Sequence, residues 1–155
     1  MKGVVEKLIK LNKTISTMES CTGGALVNEI TNVEGASNVI KFSAVTYSNE
    51  YKIKMGVSEN IINTYSVYSR ETAKEMSKKI SDFTNSDYGV GITGKINKPD
   101  PNNLVGKDDL IFVSIYDKKS NLYYEFQIEA IYDTRVKNKN MIVNVISDKL
   151  TGIIK

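Results

Sequence analysis

The sequence predicts an α/β fold with a mixed, five-stranded sheet between two layers of helices. Three observations carry this. Apolar runs at helical spacing alternate with short runs of β-branched residues over the first two thirds of the chain. Two further strand-like runs, 110–116 and 122–131, are separated only by a polar turn, so they pair as a hairpin and make the sheet mixed. A last amphipathic stretch supplies a closing helix. No linker, repeat or low-complexity tract interrupts the pattern, and a single domain over residues 1–155 is expected.

Each element has its own signal. Val4, Val5, Leu8, Ile9 and Leu11 give the first helix an apolar face. Residues 14–18 read as a strand and 22–31 as a helix with Leu26, Val27 and Ile30 on one side. Residues 39–47 are β-branched and aromatic and read as a second strand. Ser48 or Asn49 caps a helix over 50–55 that ends at Gly56. Ser58 opens a short helix, and Ser69 opens a longer one with Ala73, Met76, Ile80 and Phe83 as its stripe. Residues 87–93 form a third strand ending at Gly94. Residues 95–109, with Pro99, Pro101 and Gly106, are the one long irregular stretch, a length typical of an active-site loop or a mobile segment. The last helix covers 134–150, with Val136, Met141, Val145, Ile146 and Leu150 apolar.

Composition removes several function classes. There is no histidine, which excludes histidine triads and histidine-ligated zinc. Cys21 is the one cysteine, so neither an intrachain disulfide nor a CxxC metal site exists, and a reducing cytoplasm fits. A formal net charge of +3, from scattered residues, is too mild to argue for nucleic acid. No apolar run approaches the ~20 residues of a membrane span, and the amphipathic start is not a signal peptide.

With histidine absent, a nucleophile needs another base, and lysine is the alternative if burial lowers its pKa from about 10.4 to ~7–8. Parallel strands bring their carboxyl-end loops to one edge, where ligands of open α/β sheets bind. Ser20, Tyr47, Lys52 and the pair Thr93 and Gly94 each follow or close a strand, so they are expected to converge. The Glu19–Gly24 turn adds glycines that admit close approach and a helix N-terminus. Each residue also has a structural reading. Ser20 can be a helix cap, Tyr47 a packing residue, Lys52 a surface charge and Thr93-Gly94 a strand terminator. Cys21 is either a nucleophile or a core residue.

The run ESCTGG (19–24), followed by TNVEGAS (31–37), VTYSNEYK (45–52), SRETA (69–73) and VGITG (90–94), resembles the CinA C-terminal domain family, the nicotinamide-nucleotide amidohydrolases or NMN deamidases. The resemblance is collinear over about 14–94 and resumes weakly at Val105-Gly106 and the last helix. It implies a three-layer α/β/α domain with a five-stranded mixed sheet, and hydrolysis of the carboxamide of nicotinamide mononucleotide to nicotinate mononucleotide and ammonia. It assigns Ser20 as nucleophile, Lys52 as general base and Tyr47 as a helper in proton transfer or orientation. Thr22, Gly23, Gly24, Thr93, Gly94 and Arg135 fall at substrate-binding positions, with N–H groups of the Thr22-Gly23 turn facing the oxyanion and Arg135 the substrate. It implies no metal and no organic cofactor, a small-molecule nucleotide as partner, and assembly into dimers or larger oligomers. The chain departs from the family at Lys95-Ile96-Asn97-Lys98-Pro99, where the family usually has AGP and further glycines. It also has Lys139 where a second arginine is usual, and Ser66-Val67-Tyr68-Ser69 in place of a GAVS-like element. These bulkier residues are expected to crowd the substrate region. A binding or regulatory module of the same fold is the alternative, and an oligomerising domain that assists a partner is a third reading.

Overall fold

The computed structural model describes residues 1–155. In chain order the elements are α1 (Lys2–Leu11), β1 (Ile15–Glu19), α2 (Ala25–Thr31), a 3-10 turn (Ala36–Asn38), β2 (Ser43–Val45), α3 (Asn49–Lys54), α4 (Glu59–Tyr65), α5 (Arg70–Thr84), β3 (Tyr88–Gly94), β4 (Leu110–Asp117), β5 (Leu122–Glu129) and α6 (Arg135–Ile153). The five strands form one sheet in the order β2-β1-β3-β4-β5. β1 runs parallel to both β2 and β3, whereas β4 is antiparallel to β3 and β5. This is the mixed sheet that the hairpin signal predicted.

Strand alternation sorts the two layers. Ile15, Val90, Ile92, Ile111, Val113 and Ile115 pack with Val4, Val5 and Leu8 of α1, Leu26 and Ile30 of α2, and Ile142, Ile146 and Leu150 of α6. On the other face Met18 packs with Met76 and Ile80 of α5 and Ile62 of α4. That second layer lies unusually close to the sheet. A Cβ added at Gly89 would sit 2.0 Å from the Ser77 carbonyl oxygen, and one at Gly91 would sit 2.2 Å from that of Ala73. The α5 residues facing these glycines are small, and Ser77 Oγ is 3.0 Å from Ser114 Oγ of β4. The VGITG stretch therefore has a packing role besides any role at the strand end.

Several local expectations shift. β2 and α2 are shorter than expected, β1 and α3 keep their expected lengths with a shift of one residue, and α6 runs on to Ile153. β2 pairs over only Ser43–Val45, because Val39 and Ile40 turn into the core after the 3-10 turn and Val45 is exposed at the sheet edge. α2 begins at Ala25 rather than at residue 22, because Gly23 and Gly24 take left-handed conformations (φ 62° and 93°). Phe83 is exposed, tilted against Phe42 with ring centroids 5.3 Å apart, rather than buried under α5. The buried face of α6 is Asn138, Ile142, Val143, Ile146, Ser147 and Leu150, while Val136 is exposed. The three serine caps hold: Ser48, Ser58 and Ser69 accept from the N–H of Tyr51, Ile61 and Thr72.

Gly91→Ala is expected to cost about 3 kcal/mol through overpacking. A thermal melt should fall by about 6–12 °C for a chain of this size. An unchanged melting temperature would show that α5 is not held at glycine distance.

Candidate active site

The carboxyl ends of β1, β2 and β3 lie side by side, since Glu19 is in register with Val45 and with Ile92. Ser20 follows β1 directly. Its N–H donates to the Ile92 carbonyl at 3.0 Å, which pins it against β3, and its side chain is 5% exposed. The neighbour that shapes the turn is Glu19, which is fully buried. Its Oε2 accepts from Thr22 Oγ1 (2.7 Å) and from the N–H groups of Leu26 (3.1 Å) and Gly24 (3.2 Å). Its Oε1 accepts from the Val27 N–H (2.9 Å) and Thr17 Oγ1 (3.2 Å). Glu19, not Ser20, therefore caps α2 by placing a carboxylate at the positive end of its dipole. Ser20 is released from the capping role and faces the cleft.

Lys52 approaches from the last turn of α3, where it is the one buried residue. It is 1% exposed, and its Nζ is 3.1 Å from Ser20 Oγ and donates to the Thr46 carbonyl at 2.7 Å. Burial disfavours the ammonium and lowers its pKa from 10.5 to about 8, against small upward pulls from Cys21 and Asp100. In the neutral form the hydrogen bond reverses, with the Ser20 hydroxyl donating to the amine. Cys21 also borders the cleft, but burial pushes its thiol up to about 12, so it stays protonated at neutral pH and joins the core.

The pair opens onto a cleft of about 260 Å³ lined by Ser20, Cys21, Tyr47, Tyr68, Gly94, Arg135 and, except for Asn97, the stretch from Lys95 to Asn103. Of the residues singled out in the sequence, Ser20, Lys52, Tyr47, Gly94 and Arg135 come together here. The other four do not present side chains to the cleft. Thr22 is bound to Glu19, and Thr93 Oγ1 donates to the Val67 carbonyl at 2.9 Å. Gly23 lies under the Lys139 ammonium, and Gly24 is the residue before α2. The turn N–H groups also differ from expectation. That of Gly23 donates to Ser20 O and that of Gly24 to Glu19, whereas those of Cys21 and Thr22 have no acceptor in the protein. Tyr47 is 64% exposed and its hydroxyl accepts from Arg135 Nη2 at 3.2 Å; it hydrogen-bonds to neither Ser20 nor Lys52. The Arg135 Nη1 donates to the Ile96 carbonyl at 2.6 Å. Arg135, Lys98 and Lys139 have no carboxylate partner.

Of residues 95–99, Lys95, Ile96, Lys98 and Pro99 line the cleft, and the side chains of Lys95, Ile96 and Asn97 have partners of their own. The buried Lys95 donates to the Gly106 carbonyl and to Asp108, both at 3.3 Å, with its ammonium 5.2 Å from the Tyr68 ring centroid. Ile96 is 1% exposed in the main core, and Asn97 is bound to Asn138. Tyr68 hydrogen-bonds to Asp100, and this contact holds the Asp100 carboxyl below its ordinary range. Sequence reasoning missed Glu19, Tyr68, Asp100 and Asn138. Glu19 left a usable trace, an acidic residue at a strand end three positions before a threonine and a glycine pair. Asn138 left another, a polar residue one turn before Ile142 on the buried stripe.

This sheet edge and its buried pair define an α/β domain with a serine–lysine cleft. Its fold recurs in known proteins. A superfamily protein described as competence-damaged protein (CinA) from Klebsiella pneumoniae superimposes with a TM-score of 0.89 at 19% identity, over 99% of this chain and 94% of that one. The competence/damage inducible protein CihA from Agrobacterium tumefaciens gives 0.88 at 24% identity, over 98% and 92%. At such identities the likeness concerns the fold. The sequence is more specific: the chain belongs to the CinA C-terminal domain family, whose profile matches residues 1–146. The CinA-like protein of Endomicrobium trichonymphae is 34% identical over 145 residues, 92% of this chain, and that of Flavobacterium psychrophilum is 39% identical over 120 residues, 75% of this chain. The chain spans 34% and 28% of their lengths, about a third of these curated relatives.

Lys52→Met is expected to stabilise the protein at pH 7 by about 1–3 kcal/mol, since it removes a buried ammonium. The folded pKa lies below the unfolded one. The penalty is therefore fully present below pH 8, shrinks as pH rises from about 8 to 10.5 and is gone above. Denaturant melts of both proteins at pH 7 and pH 10 should converge at the higher pH. A gap that does not narrow would show that Lys52 titrates normally.

Proposed function

We propose that this chain is an amidohydrolase that converts nicotinamide mononucleotide to nicotinate mononucleotide and ammonia through Ser20 and Lys52. The observation that carries the reading is the buried Ser20–Lys52 hydrogen bond, combined with a lysine pKa brought down to about 8. At pH 7 about a tenth of such lysines are neutral, against fewer than one in a thousand for a free lysine. Family membership supports the substrate class.

The neutral Lys52 amine takes the Ser20 proton as Oγ attacks the carboxamide carbon. The developing oxyanion is met by the unpartnered N–H groups of Cys21 and Thr22, which flank the nucleophile's own turn. Lys52, now an ammonium held by the Thr46 carbonyl, returns the proton to the leaving nitrogen, and ammonia departs. Water then cleaves the acyl-enzyme ester, with Lys52 taking its proton and Ser20 regaining its own. A cleft of about 260 Å³ lies just under the ~300–1,000 Å³ of ordinary small-molecule sites. The carboxamide end sits inside, and the phosphate sits at the rim beside Arg135 and Lys98. Tyr47 then acts by orienting Arg135 rather than by moving a proton. On the family resemblance we further infer a single domain working in the cytoplasm as a dimer or larger assembly.

Purified protein is expected to release ammonia from nicotinamide mononucleotide, with kcat/KM rising to a plateau through a midpoint near pH 8 as Lys52 loses its proton. Ser20→Ala and Lys52→Ala should each lower kcat by about 10²–10⁴-fold. Lys52→Arg should fare no better, because arginine cannot act as a base. No release from folded wild-type protein at high enzyme concentration would leave the chain as a binding module of this fold.

A further inference from the structure

The wall of the cleft is built from a loop that differs from the family pattern, and its anchorage is visible. Asn138 projects from the buried face of α6 with 0% exposure. Its Nδ2 donates to Asn97 Oδ1 (3.1 Å) and to the Tyr132 carbonyl (2.9 Å), and its Oδ1 accepts from the Tyr132 N–H (2.9 Å). Asn97 has a left-handed backbone (φ 69°). Its N–H donates to Asp109 Oδ1 at 2.6 Å, and its own Nδ2 reaches the Tyr132 carbonyl at 2.8 Å. Two side-chain amides thus join the segment after β3, the segment after β5 and the first turns of α6. One residue before Asn97 is Ile96, whose carbonyl accepts from Arg135; one turn before Asn138 is Arg135 itself.

We infer that the Asn97–Asn138 amide pair is a positioning device for Arg135, holding the Ile96 carbonyl and the start of α6 so that the guanidinium faces the cleft mouth. The guanidinium is otherwise held only by the exposed Tyr47 hydroxyl. A long, exposed side chain loses considerable rotamer freedom when fixed, and orienting it in advance lowers the cost of binding an anion. The inference takes from the proposed function the role of Arg135 as phosphate partner.

The test compares Asn138→Leu, which fills the site without hydrogen bonds, and Asn97→Gly, which keeps the left-handed backbone and removes the amide. Thermal melts confirm folding, and Asn97→Gly keeps the test open if Asn138→Leu is unstable. In both variants KM for nicotinamide mononucleotide should rise about tenfold with kcat within twofold. KM for nicotinamide riboside, which lacks the phosphate, should not move. Combination with Arg135→Ala should add nothing further. An equal rise for both substrates, full additivity, or wild-type behaviour of Asn97→Gly would overturn the proposal. If wild-type protein releases no ammonia, calorimetric binding of inorganic phosphate and of nicotinamide mononucleotide replaces kinetics. Both should weaken in the amide variants as in Arg135→Ala, and the device is refuted if they do not.

Discussion

The buried carboxylate of Glu19 is the constraint on which this site depends. A charge taken out of water is costly unless every lone-pair direction is met. Here five donors converge on two oxygens, three of them N–H groups at the start of α2. The helix is thereby tied to the end of β1 by the residue immediately before Ser20. The left-handed glycines that follow are the geometric consequence, since the chain must curl back for its N–H groups to reach a carboxylate behind them. What remains outward is Ser20, with the N–H groups of Cys21 and Thr22 uncommitted beside it.

Lys52 is the contrasting case on the same sheet edge. It too is buried, yet its ammonium has three protons and two partners, the Thr46 carbonyl and the Ser20 hydroxyl. Glu19 is over-supplied with donors and acts as a fixed strut. Lys52 is under-supplied with acceptors, and the unmet solvation appears as a lowered pKa. Two opposite treatments of a buried charge thus stand side by side, since Lys52 bonds the residue that follows Glu19. The lysine weakens the folded state at neutral pH, where a larger fraction of it is neutral than of a free lysine.

The sheet was legible in the sequence because its signals are local: β-branched runs, serine caps and a hairpin. The convergence of Ser20 and Lys52 was legible because parallel strands must end on one edge. What could not be read depends on which face or end a side chain takes. Phe83 fits the α5 stripe by spacing, but Thr72, Ser77 and Ser81 occupy the buried face, since α5 must lie close over Gly89 and Gly91. Val136 looked like the start of the α6 stripe, whereas the buried face there begins with Asn138. Tyr47 follows β2 as expected, yet its ring swings out to Arg135, a partner 88 residues away that no spacing rule connects.

The loop after β3 forms a wall of the cleft and is held largely apart from the Ser20–Lys52 pair. Lys98 and Pro99 line the cleft, while the three side chains before them are each held separately. Lys95 is neutralised by Asp108 and covered by Tyr68, Ile96 joins the core, and Asn97 is gathered by Asn138. None of these contacts touches Ser20, Lys52 or Glu19. The Ser20–Lys52 pair rests on the β1, β2 and α3 framework, while this wall of the cleft rests largely on polar clamps from α6 and the loop itself. The two supports meet at one side-chain hydrogen bond, from Asn49 Nδ2 of α3 to Asn103 Oδ1 of the loop at 3.1 Å. Apart from that link, the Ser20–Lys52 geometry is set by the sheet edge and α3, and residues 95–97 are held by α6 and by the loop itself.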